Sequence, residues 1–411
     1  MKIVQLLPSL ELGGMERLAV DLARQQIAEG HEPSIYCTSH PGQFAPEAQA
    51  ANVPVHSFGK TTGFSPSLIR DLVLRLRVDR PHVLHAHNAL VLHYAIAAAF
   101  LARVPVVVNT RHGGNNNWDP HCERIWRQAL RWTDALVFVS EAVREFYVAR
   151  DRLSTRCTSV IYNGIDLDKF TSRPAHPSTS RPTFRIGAVG RLVPAKDHVT
   201  LIRSFAIISA AMPSAELHIV GDGPCRMELS QIAASLGLTK RVFLHGASLD
   251  VPGFLSTLDL FVLSSISEGL PISLMEALAA GLPVVSTRLP GLTELAPESV
   301  AAGYCTPGQP ESLAREILRA ASRSDLDALG RAATSWAKTF SIRETWHHYQ
   351  SLFESTLANK KRHPIVGARF IVPVRTSLGH HSAPNVGATA KLDRGQRLVQ
   401  PSMRQGSPPK A

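Results

Sequence analysis

Two glutamates, Glu268 and Glu276, stand eight positions apart in the stretch SSISEGLPISLMEALAAGLPVVST, Ser264 to Thr287. The apolar run Leu260–Leu263 before them reads as a strand. Pro271 suits the first turn of a helix, because its fixed φ fits there and its missing N–H is not needed. One carboxylate then falls at the carboxyl end of a strand and the other inside the next helix. Between them the helix N-terminus offers unpaired backbone N–H groups that attract anions. Carboxylates on either side of an anion site suit a ligand with hydroxyls at both ends and phosphate between, which describes a nucleotide sugar. A plain strand–loop–helix with two solvated acids fits the same letters, and this segment alone does not separate the readings.

Other strand ends carry groups of matching chemistry. Gly13-Gly14 follows the first strand and precedes a helix, so backbone there can approach a phosphate without side-chain obstruction. The dinucleotide fingerprint GxGxxG is missing from that turn. Gly190-Arg191-Leu192 closes a later strand, with Lys196 at the mouth of the next helix; guanidinium and ammonium both suit a diphosphate. His112, in Arg111-His112-Gly113-Gly114, has the chemistry to bind a sugar hydroxyl or to polarise a reacting group. Two solvated cations, a structural histidine and ordinary turns are the plain alternatives. His85 and His87 lie two apart at a strand end without Cys or carboxylate partners at ligand spacing, and Asp166-Leu167-Asp168 heads into a linker, so no metal site is expected.

These groups need a framework of alternating strands and helices. The first series has strand candidates at Lys2–Leu7, Ser34–Cys37, Val53–Phe58, Val83–Ala86, Pro105–Asn109, Ala135–Val139 and Ser159–Tyr162, with a helix from Met15. The second has Phe184–Val189, Ala215–Val220, Val242–Leu244, Leu260–Leu263 and Val284–Ser286, with a helix over Asp197–Ala211. Short apolar runs between helical patterns indicate parallel sheets covered on both faces. The Pro- and Ser-rich TSRPAHPSTSRP, Thr171–Pro182, reads as a linker between them. An α/β chain of two doubly wound, Rossmann-like domains follows, with ligands beyond the carboxyl ends of the strands. A last helix presents Trp346, Tyr349, Phe353 and Leu357 on one face.

The 411 residues suffice for two domains, and no apolar run reaches membrane-spanning length. The N-terminus is not read as a signal peptide, since Pro8 and Glu11 interrupt its short apolar stretch. Five scattered cysteines without CxxC spacing point to reduced thiols. From Lys360 onward ten lysines and arginines face Asp393 alone, so +9 of the net charge of +11 belongs to the tail. Such an end suits contact with anionic lipid or plain solvation and disorder; nucleic acid is not the expected partner.

Taken together, GGMERLAVDLA (Gly13–Ala23), TRHGG (Thr110–Gly114), YNGID (Tyr162–Asp166), VGRLVPAKD (Val189–Asp197), IVGDGP (Ile219–Pro224) and SEGLPISLMEALAAGLPVVST (Ser267–Thr287) resemble family 4 of the retaining glycosyltransferases, which have the GT-B architecture. EGLPxxxxEA is the most specific of these elements. The resemblance implies a hexosyltransferase with a UDP- or GDP-sugar donor and a carbohydrate or lipid-linked acceptor, working without a metal or other cofactor. It implies that Arg191 and Lys196 neutralise the donor diphosphate, that Glu276 holds ribose hydroxyls, and that Glu268 contacts donor-sugar hydroxyls. By the same resemblance, backbone near Gly190, Gly269, Leu270 and Ile272 faces sugar and phosphate, Gly13 and Gly14 approach the diphosphate, and His112 contacts the sugar near the reacting carbon. The variant Gly269-Leu270-Pro271, and a stretch Arg288–Glu294 without the frequent Gly-Gly pair, depart from the pattern.

The organisation expected is an acceptor-side domain over 1–170, a linker over 171–183, a nucleotide-sugar domain over 184–335, a helical segment over 336–358 and a disordered basic tail over 359–411. Cytoplasmic location is expected, with peripheral attachment at the inner face of an anionic membrane. Polysaccharide or glycolipid synthesis would be the setting, exopolysaccharide included. A nucleotide-sugar epimerase of the same architecture, or a catalytically silent scaffold, are the competing functions.

Overall fold

The computed structural model describes residues 1–113, 120–155, 158–170 and 183–362. Two parallel sheets organise them. The first holds β1 (Lys2–Leu7), β2 (Glu32–Cys37), β3 (Val55–Ser57), β4 (Val83–His87), β5 (Val106–Arg111), β6 (Ala135–Phe138) and β7 (Thr158–Val160), in the order β3-β2-β1-β4-β5-β6-β7. The second holds β8 (Arg185–Val189), β9 (Glu216–Val220), β10 (Val242–Gly246), β11 (Leu260–Leu263), β12 (Val284–Thr287) and β13 (Gly303–Cys305), in the order β10-β9-β8-β11-β12-β13. Each sheet reverses its winding once, between β1 and β4 and between β8 and β11. At such a switch point adjacent loops part and leave a crevice, which is where ligands of doubly wound sheets bind. The four loops concerned carry Gly13-Gly14, Asn88, Gly190 to Lys196, and Ser264 to Pro271.

The sequence reading differs from the structure in identifiable places. The strand read over Val53–Phe58 shrinks to Val55–Ser57, an edge strand where Pro54 has no N–H to donate. The strand Gly303–Cys305 was not anticipated, because three residues carry no periodicity; its pairing with β12 creates it. Pro271 lies outside the helical turns: it is the N-cap, with φ −72° and ψ 123°, and the helix is Ile272–Ala279. The last helix is Ile342–Arg362, running past the residue at which the tail was expected to begin. The linker Thr171–Pro182, Gly114, Cys157 and the tail beyond Arg362 lie outside the described residues.

Local signals fix the helix ends. Ser140 accepts from Val143 N at 3.2 Å to start the helix Glu141–Asp151. Asp197, at φ 47°, accepts from Thr200 N at 3.2 Å to start His198–Ala211. The helix Ile342–Arg362 follows the second sheet in sequence but packs on the first. Trp346, Tyr349, Leu352 and Phe353 are fully buried against Ile3, Leu18, Leu22, Val83 and Val106. Lys360 Nζ reaches Asp134 Oδ2 at 2.8 Å beside the same sheet. The chain returns through a short bridge, where Ile342 N donates to Ile165 O at 2.8 Å and Ile165 N to Phe340 O at 2.9 Å. Phe353→Ala should therefore cost roughly 3–5 kcal/mol, the range for truncating a buried aromatic. Urea unfolding followed by far-UV circular dichroism reads that loss, and a shift below 1 kcal/mol would contradict this packing.

Candidate functional site

The two switch points face each other. A Cβ placed on Gly14 would lie 3.1 Å from Ile272 Cγ1, so the N-terminus of the helix Gly14–Ala28 abuts that of Ile272–Ala279. Glu16, in the first turn of the former, feels the charge of Arg191 from the other lobe, although burial dominates and raises its carboxyl above the ordinary value. Arg191 itself is exposed. Two positive helix ends and a guanidinium thus converge from both lobes.

Lys196 sits in the short turn Pro194–Lys196, where Gly190 leaves room for its stem: a Cβ on Gly190 would meet Lys196 Cε at 3.4 Å. Its ammonium donates to Glu268 Oε1 at 2.5 Å, and Ser265 Oγ donates to the same oxygen at 2.6 Å. Backbone stitches hold the two loops together: Ile266 N donates to Ala195 O at 2.9 Å, and Ser264 Oγ to Lys196 O at 2.9 Å. Glu268 and Lys196 are therefore fixed relative to each other by three hydrogen bonds between two short segments, with a fourth, from Ser265, holding Glu268 within its own.

Glu276 lies apart from that pair. It is buried, and burial raises its carboxyl to about 7, with Asp21 adding to the rise and Arg17 and Lys169 opposing it. Those three belong to the first lobe and are engaged with one another: Arg17 Nη2 meets Asp21 Oδ1 at 2.6 Å, and Lys169 Nζ meets it at 3.3 Å. Glu276 thus faces across the cleft rather than pairing with Glu268.

His112 leaves β5 in a loop that touches Gly269, where a Cβ would fall 2.3 Å from His112 O. Its backbone N–H donates to Asn88 Oδ1 at 3.0 Å. Asn88 holds φ 65° and ψ −179°, a region that costs a non-glycine residue about 1–3 kcal/mol. The neighbouring Gly113 carbonyl accepts from Tyr147 OH at 3.2 Å, and that hydroxyl accepts from Arg111 Nε at 2.7 Å. Asn163 Nδ2 donates to Leu270 O at 3.0 Å, tying the second lobe's loop to the first. Glu294 adds a second tie: Oε1 accepts from Glu141 N at 2.9 Å and Tyr162 OH at 2.6 Å, and Oε2 from Ala142 N at 3.1 Å.

Of the residues chosen from sequence, the structure brings together Gly13, Gly14 and Ile272, then Gly190, Lys196 and Glu268, then His112 and Gly269. Sequence reasoning missed Asn88, Tyr162, Asn163 and Glu294, which act through partners distant in sequence. Tyr162 and Asn163 stood in the YNGID motif without a role assigned to them, and Glu294 only closed an atypical stretch. Among the described residues no three His, Cys, Asp or Glu side chains gather as a metal-binding group.

Residues 12–169 match the family described as Glycosyltransferase Family 4, and residues 171–336 the family described as Glycosyl transferases group 1. The UDP-Gal:alpha-D-GlcNAc-diphosphoundecaprenol alpha-1,3-galactosyltransferase of Escherichia coli is 29% identical over 55% of the chain and 64% of its own length. The GPI3 subunit of the Saccharomyces cerevisiae phosphatidylinositol N-acetylglucosaminyltransferase is 26% identical over 71% of the chain and 68% of its own. The chain thus spans about two thirds of these relatives. The Anabaena HepE structure with UDP and glucose covers 86% of the chain and all of its own, with a TM-score of 0.77 and 24% identity. At that identity the likeness is one of fold, the two-lobed GT-B architecture.

Glu276 gives a pH signature. The folded carboxyl, at about 7, holds its proton more tightly than the unfolded one at 4.5. Below pH 4.5 both states are protonated and the stability is fully present. As pH rises towards 7 the unfolded chain releases the proton first, so stability is lost across that window. Glu276→Gln should remove this loss, on the order of 3 kcal/mol, and gain on the wild type between the two pH values. Thermal unfolding at pH 4.5 and pH 8 checks it; parallel profiles for both proteins would contradict the assignment.

Proposed function

The chain belongs to the group 1 glycosyltransferases, and on that premise we propose that it moves a hexosyl unit from a UDP-sugar to a lipid-linked or carbohydrate acceptor with retention of anomeric configuration. The observation that carries this reading is the convergence of two helix N-termini with Arg191 and Lys196 at the joint switch points. Breaking the bond between the anomeric carbon and phosphate puts negative charge on the departing nucleoside diphosphate. Fixed donors aimed at that charge, in place before the reaction, are the largest source of acceleration in such chemistry.

The residues then divide the donor between them. Arg191, Lys196 and backbone at Gly13, Gly14, Gly190 and Ile272 take the diphosphate. Glu276 takes the ribose hydroxyls, a role in which a buried carboxyl facing hydroxyl donors is charge-stabilised on binding. Glu268 takes sugar hydroxyls and, through its contact at 2.5 Å, also aims the Lys196 ammonium. His112 takes a sugar hydroxyl near the reacting carbon, with Gly269 and Leu270 closing over it. The carboxylates are not a glycosidase pair, since Glu268 is committed to a lysine and Glu276 to the opposite lobe. Retention is assigned to front-face attack in which the leaving phosphate draws the acceptor's proton, with no protein nucleophile named.

The lipid-linked acceptor has its own support. On the outside of the first lobe, the helix Pro66–Asp79 and the neighbouring apolar helix Ala89–Ala102 expose Leu74, Val78, Leu90, Phe100 and Leu101, with Phe64 beside them. Arg70, Arg77, Arg80 and Arg103 are exposed around this face. Apolar side chains rimmed by arginines suit the interface of an anionic bilayer. Among the described residues no helix is long and apolar enough to cross one.

Incubation with UDP- and GDP-hexoses, with and without polyprenyl-diphosphate-linked sugars, should release UDP in an acceptor-dependent way. Lys196→Ala should lower kcat on the order of 10²–10³-fold, and Glu276→Ala should act mainly on KM for the donor. Unchanged kinetics in both variants would remove the site assignment, and vesicle binding without turnover of any donor would favour a scaffold. Co-sedimentation with phosphatidylglycerol vesicles should fall severalfold in Phe100→Ser/Leu101→Ser; equal binding by that variant would place membrane contact elsewhere.

A further inference from the structure

Beneath His112 runs a line of buried polar groups that the donor-binding reading does not use. Gln5 on β1 and His85 and His87 on β4 are fully buried, on the side of the sheet covered by the helices Gly14–Ala28 and Ile342–Arg362. Gln5 Nε2 donates to Ala19 O, a carbonyl of the first of these helices, at 3.1 Å. His87 Nε2 lies 3.2 Å from Gln5 Oε1, and His87 Nδ1 lies 2.9 Å from His112 Nε2. His112 Nδ1 is buried and meets no hydrogen-bond partner among the described residues.

The directions of these bonds are not free. A backbone carbonyl only accepts, so Gln5 must turn its amide NH₂ to Ala19 and its oxygen to His87. That oxygen also only accepts, so the proton of His87 resides on Nε2. Burial holds both histidines neutral, with His87 lowered to about 3 and His112 well below its ordinary value. A neutral His87 protonated on Nε2 leaves Nδ1 bare, so His112 must donate from Nε2, and its own Nδ1 is left with a lone pair. The opposite tautomer of His112 would press two lone pairs together across 2.9 Å. Asn88, holding the His112 backbone N–H, fixes the start of the loop from the other side.

We propose that Gln5 and His87 are positioning residues that lock His112 in the Nε2–H tautomer, so that its Nδ1 accepts a hydrogen bond from a hydroxyl of the donor sugar. The second half of this proposal rests on the donor site described above; the first does not. The lock accounts for Gln5 and His87 on a sheet face where Ile3, Val83, Val106 and Val108 are apolar. It also makes the site selective: a hydroxyl can satisfy Nδ1, while a group at that place with no proton to donate would leave a buried acceptor unpaired.

Imidazole ¹⁵N chemical shifts separate protonated from bare ring nitrogens, with His112 assigned by the loss of its signals in His112→Gln. In the ligand-free wild type, Nε2 of His112 should read as protonated and Nδ1 as bare. Adding UDP-glucose, UDP-galactose or UDP-N-acetylglucosamine should shift Nδ1 for at least one sugar, and UDP alone should not. Gln5→Leu, which removes the amide at similar volume, should give His112 a mixed tautomer. It should weaken the sugar nucleotide that shifts Nδ1 by about 10-fold, the size of one hydrogen bond, and leave UDP affinity unchanged. A purely structural role for Gln5 would lower both affinities together. A protonated Nδ1 in the wild type, an unaltered tautomer in Gln5→Leu, or no Nδ1 response to any of the three sugars would overturn the proposal. Failure of UDP itself to bind would instead count against the donor site, and the ligand-free spectra would still decide the tautomer.

Discussion

Close approach of backbone to backbone is the constraint on which this site depends. A Cβ on Gly269 would stand 2.3 Å from His112 O, one on Gly291 2.3 Å from Gly269 O, and one on Gly221 1.9 Å from Gly190 O. Four loops of the second lobe and one of the first thereby meet at distances that only hydrogen at Cα permits. The requirement at Gly269 and Gly291 is steric. Gly221, at φ 141°, is constrained by conformation as well. These contacts join the ends of β5, β11 and β12 and, separately, those of β8 and β9; the bond from Ile266 N to Ala195 O links the two groups into one surface. Without them Lys196, Glu268 and His112 would each be attached to a separate loop.

Charge follows the same layout. Pairs that face the cleft are made within one lobe, as Lys196 with Glu268 and Arg17 with Asp21, so each lobe arrives with its local electrostatics settled. The ties between lobes described above use a carboxylate on backbone amides and a hydroxyl, as Glu294 on Glu141 N, Ala142 N and Tyr162 OH, or an amide on a carbonyl, as Asn163 on Leu270 O. A carboxylate at a helix N-terminus gains from the dipole without burying a counter-charge. Glu276 is the exception. Its carboxyl is buried at the boundary with Asp21 opposite, and the cost of a charge there is why it holds a proton so tightly.

How much of this was readable beforehand depends on the range of each cause. The succession of strands and helices follows from alternating apolar runs and helical patterns, whose signal is local and repeated, whereas the order of strands within each sheet does not. Glu268, Glu276, Arg191 and Lys196 were identifiable because glycines and prolines bracket them at strand ends. The Gln5–His87–His112 line was not. His85 and His87 were noticed for their spacing of two and weighed as metal ligands, whereas that spacing places both on one buried face of β4. Gln5 sits among apolar neighbours on a central strand, and its partners lie on a helix and on another strand. Nothing in the neighbouring letters marks a residue whose function is the direction of a hydrogen bond. Glu294 and Asn163 escaped for the same reason, since each completes a contact between lobes.

The return of the last helix onto the first sheet has a consequence for the order of assembly. The cluster that joins Ile3, Leu18 and Val83 to Trp346, Tyr349 and Phe353 unites the beginning of the chain with a segment more than three hundred residues later. While the polypeptide emerges from the ribosome, β1 to β7 can pair, yet the part of one sheet face that the helix Gly14–Ala28 leaves open stays uncovered until the second lobe has been made and passed. The same face holds Gln5, His85 and His87. Tyr349 contributes directly there: its hydroxyl lies 2.9 Å from Thr110 Oγ1, which in turn meets His85 Nε2 at 2.7 Å. The first lobe is thus made before the second and sealed after it. A nascent chain without the helix Ile342–Arg362 would leave that face partly open, so the site becomes competent only once this helix has been made and docked.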